Sequence, residues 1–295
     1  MNARTLTLRG IIPSMVTPFD NSGKLERDWL KRETEFLTQA DVDGLCVGGV
    51  ISETAGARPE EVHLICKTVI SSTNKPVIAG IFPDCTSEAL ELASACASAG
   101  AQALSVSPPH YLFCPDREGL IELFAAVREQ VDVPVLLANS IPTAQVDLTS
   151  MTALTDRGLI DGIHQGAGNA HLLADILNLK SRLAVYTGVE DLLYMAFLLG
   201  AEGAISALAA VFPKDCVALY RAHQNRDFDR ARKIHEKLNR WWRILDHPVE
   251  FLSRVKSALA LQQRPVGVPR SPYNVLSAYG QSSVREALER QLKLP

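Results

Sequence analysis

Short, almost continuously apolar runs alternate along this chain with longer segments in which apolar side chains recur every three or four positions. The short runs fall at residues 10–17, 44–49, 76–81, 103–107, 134–139, 160–164, 183–187 and 203–207. Their unbroken apolar character predicts strands covered on both faces, as in a parallel sheet. The segments between them read as amphipathic helices. Pro59–Ile70 opens on a proline followed by Glu60 and Glu61, which suit a helix N-terminus. Residues 86–99 are expected to begin on a Thr86 cap and to end at Gly100. Residues 116–131 and 192–199 continue the alternation. Eight strand–helix units before Pro213 predict a (β/α)8 TIM barrel rather than an open doubly wound sheet. No Gly-x-Gly-x-x-Gly follows the first strand, which argues against dinucleotide binding.

After Pro213 the pattern is helical, with predicted helices at 227–245, 249–262 and 283–292 and a Pro-rich connection at 264–272. No flexible linker separates this part, so the expected organisation is a barrel over 1–225 and a C-terminal helical region over 226–295 packed on it.

The net charge of −3 supplies no basic field for nucleic acid or an anionic membrane surface. The opening MNARTLTLRG is too polar for a signal peptide, and no later run approaches a membrane span. The six cysteines show no Cys-x-x-Cys spacing; several, such as Cys46, sit in apolar stretches, and structural, reduced thiols are expected, in keeping with a cytoplasmic location. His110, His164 and His171 fall on different elements, so neither a metal site nor a cofactor is expected.

Several stretches are similar in order and spacing to one family, that of dihydrodipicolinate synthase and N-acetylneuraminate lyase. RGIIPSMVTPFD resembles its first strand. PVIAGIFPDCTSEALELASACASAGAQAL resembles its third strand, third helix and fourth strand, and VSPPHYLFCPDREGL its Pro-Tyr-Tyr segment. GIHQGAGN and TGVEDLLYMAFLLGAEGAISALAAVFP follow in the same order. The resemblance covers nearly the whole chain. It implies a homodimer or homotetramer acting on a small oxo or carboxylic acid, through a lysine imine at the end of strand six. A tyrosine after strand five and a hydroxyl after strand two would move protons during that chemistry.

At those positions this sequence departs from the pattern. The imine lysine reads His164, in Gly162-Ile163-His164. The tyrosine reads Ala138, and the arginine expected in the following loop is missing from residues 140–145. The hydroxyl pair reads Val50-Ile51, ahead of Ser52 and Glu53. Imidazole cannot form the stable imine of a primary amine, so ordinary pyruvate imine chemistry is not expected. Among the lysines, Lys214 after strand eight is the alternative amine, with a solvated first-turn role as its plainer explanation.

The strand alternation points His164 into the barrel mouth, with Ala138 and Gly166 expected to leave it room. There it serves either as an acid–base group or as a packed, hydrogen-bonded remnant. Tyr111 matches the second tyrosine of Pro-Tyr-Tyr, which in the family reaches a neighbouring subunit's site. The apolar segment 108–113 is expected to form the contact between subunits. Ser52, Asn139, Gly188, Glu190 and Ser206 are the candidate substrate-binding residues. Glu190 can instead open the seventh helix, and Glu53 is expected to bond backbone near the second strand. Two functions stay open: a lyase-like enzyme acting without a lysine imine, with His164 and Tyr111 as its catalytic residues, or an inactive barrel that binds or senses a small molecule.

Overall fold

A computed structural model describes residues 6–111, 113–167, 170–179 and 183–292. Eight parallel strands lie in the order β1-β8-β7-β6-β5-β4-β3-β2. They are β1 Gly10–Pro13, β2 Leu45–Val47, β3 Val77–Ile81, β4 Ala103–Val106, β5 Val135–Asn139, β6 Gly162–Gln165, β7 Ala184–Thr187 and β8 Gly203–Ser206. A parallel Ser14↔Cys46 bridge joins β1 to β2 and brings the ring to closure. The fold is the (β/α)8 barrel that the alternation predicts. Each strand is shorter than its apolar run: β1, β2, β4 and β8 end before the run does, while β3, β5, β6 and β7 begin one or two residues after it.

The helices are α1 Arg27–Gln39, α2 Pro59–Ile70, α3 Thr86–Ala99, α4 Arg117–Gln130, α5 Leu148–Asp156, α6 Ala170–Leu177, α7 Leu193–Leu198, α8 Ala207–Val211, α9 Pro213–Gln224, α10 Phe228–Leu245, α11 Phe251–Leu261 and α12 Ala278–Leu292. Several helix starts shift by one or more residues from the sequence reading, and two local details differ in kind. Thr86 is the first helical residue of α3 and not its cap: Cys85 holds the cap position, and Glu88 takes the Asp84 N–H at 2.7 Å. Helix α12 starts five residues before the expected 283, because the Ser277 hydroxyl accepts the Gly280 N–H and sets the first turn earlier. Gly100 does close α3 in the left-handed conformation, at φ +100°.

Two cores form. The larger lies between the strands and the surrounding helices. The smaller lies inside the barrel and consists of Ile12, Cys46, Ile78, Ala103, Leu136, Tyr186 and Ile205. Successive strand side chains alternate faces, so the inward row continues two residues further along each strand. There it reaches the C-terminal rim, where barrel active sites are built.

The C-terminal helices are tied to the loops above β1 and β2. From α11, the Lys256 ammonium donates to the Thr17 and Val268 carbonyls at 3.1 and 2.8 Å and pairs with Glu53 at 2.5 Å. Glu53 also accepts the Arg270 N–H at 2.6 Å. Its work is structural, as expected, although its partners lie in the C-terminal part and not beside strand two. Arg264 clasps Glu33 of α1 and donates to the Ala210 carbonyl at 2.7 Å.

Candidate functional site

The upper inward row holds Gly48, Gly80, Ser105, Ala138, His164 and Gly188. His164 is the one ionisable group among them. Strand β6 places it by simple alternation: Ile163 turns outward into the sheet–helix core, while Gly162 and His164 turn inward. Across the ladder its neighbours are Ala138 on β5 and Tyr186 on β7. The imidazole is 8% exposed. Gly188 makes room for it, since a Cβ at 188 would stand 2.7 Å from His164 Nε2 and 3.0 Å from the Ile205 carbonyl oxygen. A Cβ at Gly166 would first meet Ser140, with the hydroxyl at 2.9 Å.

Burial pushes the His164 imidazole down to about 4, against the pull of a hydrogen bond to the Ile205 backbone. At neutral pH it is therefore uncharged. A neutral imidazole has one N–H donor and one lone pair; the Ile205 carbonyl takes the donor, which leaves the lone pair to accept from a substrate hydroxyl or take its proton.

Of the other candidates only Ser206 and Glu190 are brought together, and each of the polar ones has its side chain turned to protein. Ser206 donates to Glu190 at 2.6 Å, and the same carboxylate accepts the Ala207 and Leu208 N–H groups at 2.6 and 3.2 Å. Glu190 thus begins a 3-10 turn, Glu190–Leu192, ahead of α7, and its carboxylate serves the start of α8. Burial raises Glu190 to about 7, while the bonds from Ser206, Leu208 and Ala207 pull it back and Asp191 adds to the rise. Asn139 donates to Gln165 at 2.8 Å and accepts the Val146 N–H at 2.9 Å, which pins the loop after β5. Ser52 donates to the Met15 carbonyl at 2.6 Å, joining the β2 loop to β1.

Tyr111 lies apart from this group. It is 73% exposed in the loop after β4, close to Phe113 at 80%. Leu112, between them, lies outside the described residues, as do Gly168, Asn169, Lys180 and Lys293. Val50 is exposed and Ile51 is buried. Lys214 is exposed on α9, along an outer cleft with Asp41 and Arg221. Lys256 is the buried amine, lowered by burial and drawn up again by Glu53, and its donors are already engaged.

Sequence reasoning passed over Ser105 and Ser107. Ser105 is 2% exposed, and its hydroxyl has no partner among the described residues; Ser107 donates to the Pro108 carbonyl at 2.9 Å. Both share the inward parity of Ala103, so the alternation in Ala103-Leu104-Ser105-Val106-Ser107 carried the signal. Among the described residues no group of three or more His, Cys, Asp or Glu side chains is placed to hold a metal ion. No described helix is long and apolar enough to cross a membrane.

Residues 7–291 match the sequence model of the dihydrodipicolinate synthetase family. A 4-hydroxy-tetrahydrodipicolinate synthase from Methanothrix thermoacetophila is 30% identical over 293 residues, covering 97% of this chain and 98% of the relative. One from Pseudomonas savastanoi pv. phaseolicola is 32% identical over 292 residues, covering 96% and 98%. Among solved structures, YagE of E. coli K12 superposes with a TM-score of 0.92 at 26% identity, covering 98% of this chain and 100% of that one. YagE is described as a prophage protein of the dihydrodipicolinic acid synthase family and was solved in complex with pyruvate.

Proposed function

Since this chain belongs to the dihydrodipicolinate synthetase family, we propose that it acts on a small oxo acid or sugar-acid-like molecule at the barrel mouth, in a lyase-type reaction without a lysine imine. The observation that carries this reading is His164: an inward, desolvated, neutral imidazole at the rim, standing where the resemblance puts the imine lysine. The pyruvate complex of YagE supports the ligand class. A carboxylate entering the mouth raises the imidazole's pKa towards the range in which it exchanges protons with substrate. Until then the neutral ring, its N–H held by the Ile205 carbonyl, offers its lone pair as a base or acceptor to a substrate hydroxyl. Ser105, whose buried hydroxyl has no partner among the described residues, offers a second polar group on the inward row.

One observation favours a second reading, a barrel that binds such a molecule and does not turn it over. Ser52, Asn139, Glu190 and Ser206 all spend their side chains on the protein, which leaves His164 without an acid–base partner. In both readings the chain assembles as a cytoplasmic homodimer or homotetramer through the apolar face carrying Tyr111 and Phe113.

The test is titration with pyruvate and a panel of 2-oxo acids and sugar acids, with turnover followed in parallel. The proposed reaction requires turnover of at least one bound acid, with His164→Ala lowering kcat by roughly 100-fold. Binding that persists with no turnover anywhere in the panel establishes the second reading. Absence of any binding defeats both.

A further inference from the structure

Among the described residues, the non-glycine positions with a left-handed backbone are Asp41, Glu53, Arg226 and Gln263. Asp41, Arg226 and Gln263 each come two residues after the end of a helix (α1, α9 and α11), where this conformation is ordinary. Glu53, at φ +56°, closes no helix. It ends the turn after β2, in which the Ser52 N–H donates to the Gly49 carbonyl at 2.9 Å. That turn starts beside Gly48 of the upper inward row and carries the exposed Val50 at the C-terminal rim.

A residue with a Cβ avoids this conformation, so something holds Glu53 in it. The carboxylate is 4% exposed, meets the Lys256 ammonium at 2.5 Å and accepts the Arg270 N–H at 2.6 Å. The ammonium, 2% exposed, also donates to the carbonyls of Thr17 and Val268. Thr17 follows β1, so one side chain of α11 fastens the loops after β1 and β2 together. A buried ion pair adds little net stability beyond what a well-packed apolar pair would give, and a left-handed glutamate subtracts from it. Stability explains neither feature, which leaves the shape of the turn as what they keep.

We propose that Lys256 is a positioning residue for the barrel mouth. Through Glu53 it fixes the turn 49–52 in the form against which the mouth ligand is seated. The seating of a ligand rests on the oxo-acid reading of the mouth; the hold on the turn does not.

The test uses the full chain carrying Lys256→Met together with Glu53→Gln, which keeps both side-chain sizes and leaves no unpaired charge in the core. Hydrogen exchange is expected to quicken about 10-fold or more at amides 50–54 and to stay unchanged in β5 and β6. Pyruvate affinity, followed by calorimetry, should fall about 10-fold. If the double variant does not fold, Glu53→Gln alone serves, since Lys256 then keeps both carbonyl partners. Unchanged exchange at 50–54 would overturn the proposal. So would equal quickening throughout the barrel, the behaviour of a merely structural pair. Faster exchange at 50–54 with pyruvate bound as tightly as before would overturn the positioning role. If the unmutated chain binds no pyruvate, the oxo-acid reading is what fails, and exchange at 50–54 alone decides whether Lys256 holds the turn.

Discussion

The two ends of the barrel interior are built from the same alternating strands and differ in almost every other respect. The lower tier is filled by Ile12, Ile78, Leu136, Tyr186 and Ile205, all 1% exposed or less. Two residues further along the same strands stand Gly80, Ala138, His164 and Gly188, which are small apart from one imidazole. The lower tier removes large apolar area from water, and its one polar tip, the Tyr186 hydroxyl, is satisfied by the Leu8 carbonyl at 2.5 Å. The upper tier contributes little apolar burial and holds a desolvated base against a glycine where any larger residue would crowd it. Stability is concentrated below, and chemistry has room only above.

The largest effect expected from this contrast is Leu136→Ala, which should cost about 2–5 kcal/mol in denaturant unfolding. His164→Ala, on the tier above, should cost about 1 kcal/mol at pH 7. A loss of several kcal/mol at His164 would make it a packed remnant and remove it from the proposed chemistry.

The next effect is steric. Gly188→Ala puts a methyl 2.7 Å from His164 Nε2 and 3.0 Å from the Ile205 carbonyl oxygen. Overpacking of this kind should cost about 1–3 kcal/mol. Part of that cost should vanish in a His164→Ala background, because the imidazole is one of the three groups in the way. Strict additivity of the two substitutions would show that the imidazole does not press on residue 188.

Titration separates the two buried ionisable groups, because their signs oppose. His164 has a folded pKa of about 4, below its ordinary value of 6.5, so the unfolded chain binds the extra proton between those pH values. Its contribution therefore falls as pH drops from 6.5 towards 4, by up to about 3 kcal/mol. Glu190 has a folded pKa of about 7, above its ordinary 4.5, so the folded chain binds the extra proton. Its contribution is full below 4.5 and is lost as pH rises through 7, by an amount of the same order. Between 4.5 and 6.5 the two slopes offset each other. Relative to the unmutated chain, Glu190→Gln should make stability rise more steeply with pH over that window, and His164→Ala should make it fall. Unchanged pH profiles in both variants would contradict the assigned shifts. The smallest effect is expected at Lys214→Ala, within about 0.5 kcal/mol, as befits an exposed side chain on the outer face of α9.

The fold was legible because its signal is local. Eight apolar runs and the helical periods between them are set by which faces each segment buries, and all eight runs became strands. Their ends were misread where ladder pairing, and not apolar character, decides the first or last strand residue. Of the site, the inward placement of His164 was legible for the same reason, since it needs only the parity of β6. What Asn139, Glu190 and Ser206 bond to was not. Asn139 meets Gln165 across 26 positions and Glu190 meets Ser206 across 16, pairings made by neighbouring strands and loops. Lys256 was missed most completely. A lysine on an amphipathic helix reads as solvated, and only its docking over Thr17, 239 positions away, buries it.

The central claim, that the reaction proceeds without a lysine imine, is tested most directly by treating the protein with pyruvate and borohydride and measuring its intact mass. Borohydride reduces a lysine imine to a stable secondary amine, which needs a primary amine within reach of the carbonyl. With His164 and Ala138 at the mouth, Lys214 on the outer surface and Lys256 already engaged, the expected result is an unchanged mass. His164→Lys should be trapped slowly at most, because each missing acid–base group costs roughly 100-fold. Stoichiometric modification of a single lysine in the unmutated protein, located by peptide mapping, would contradict the account.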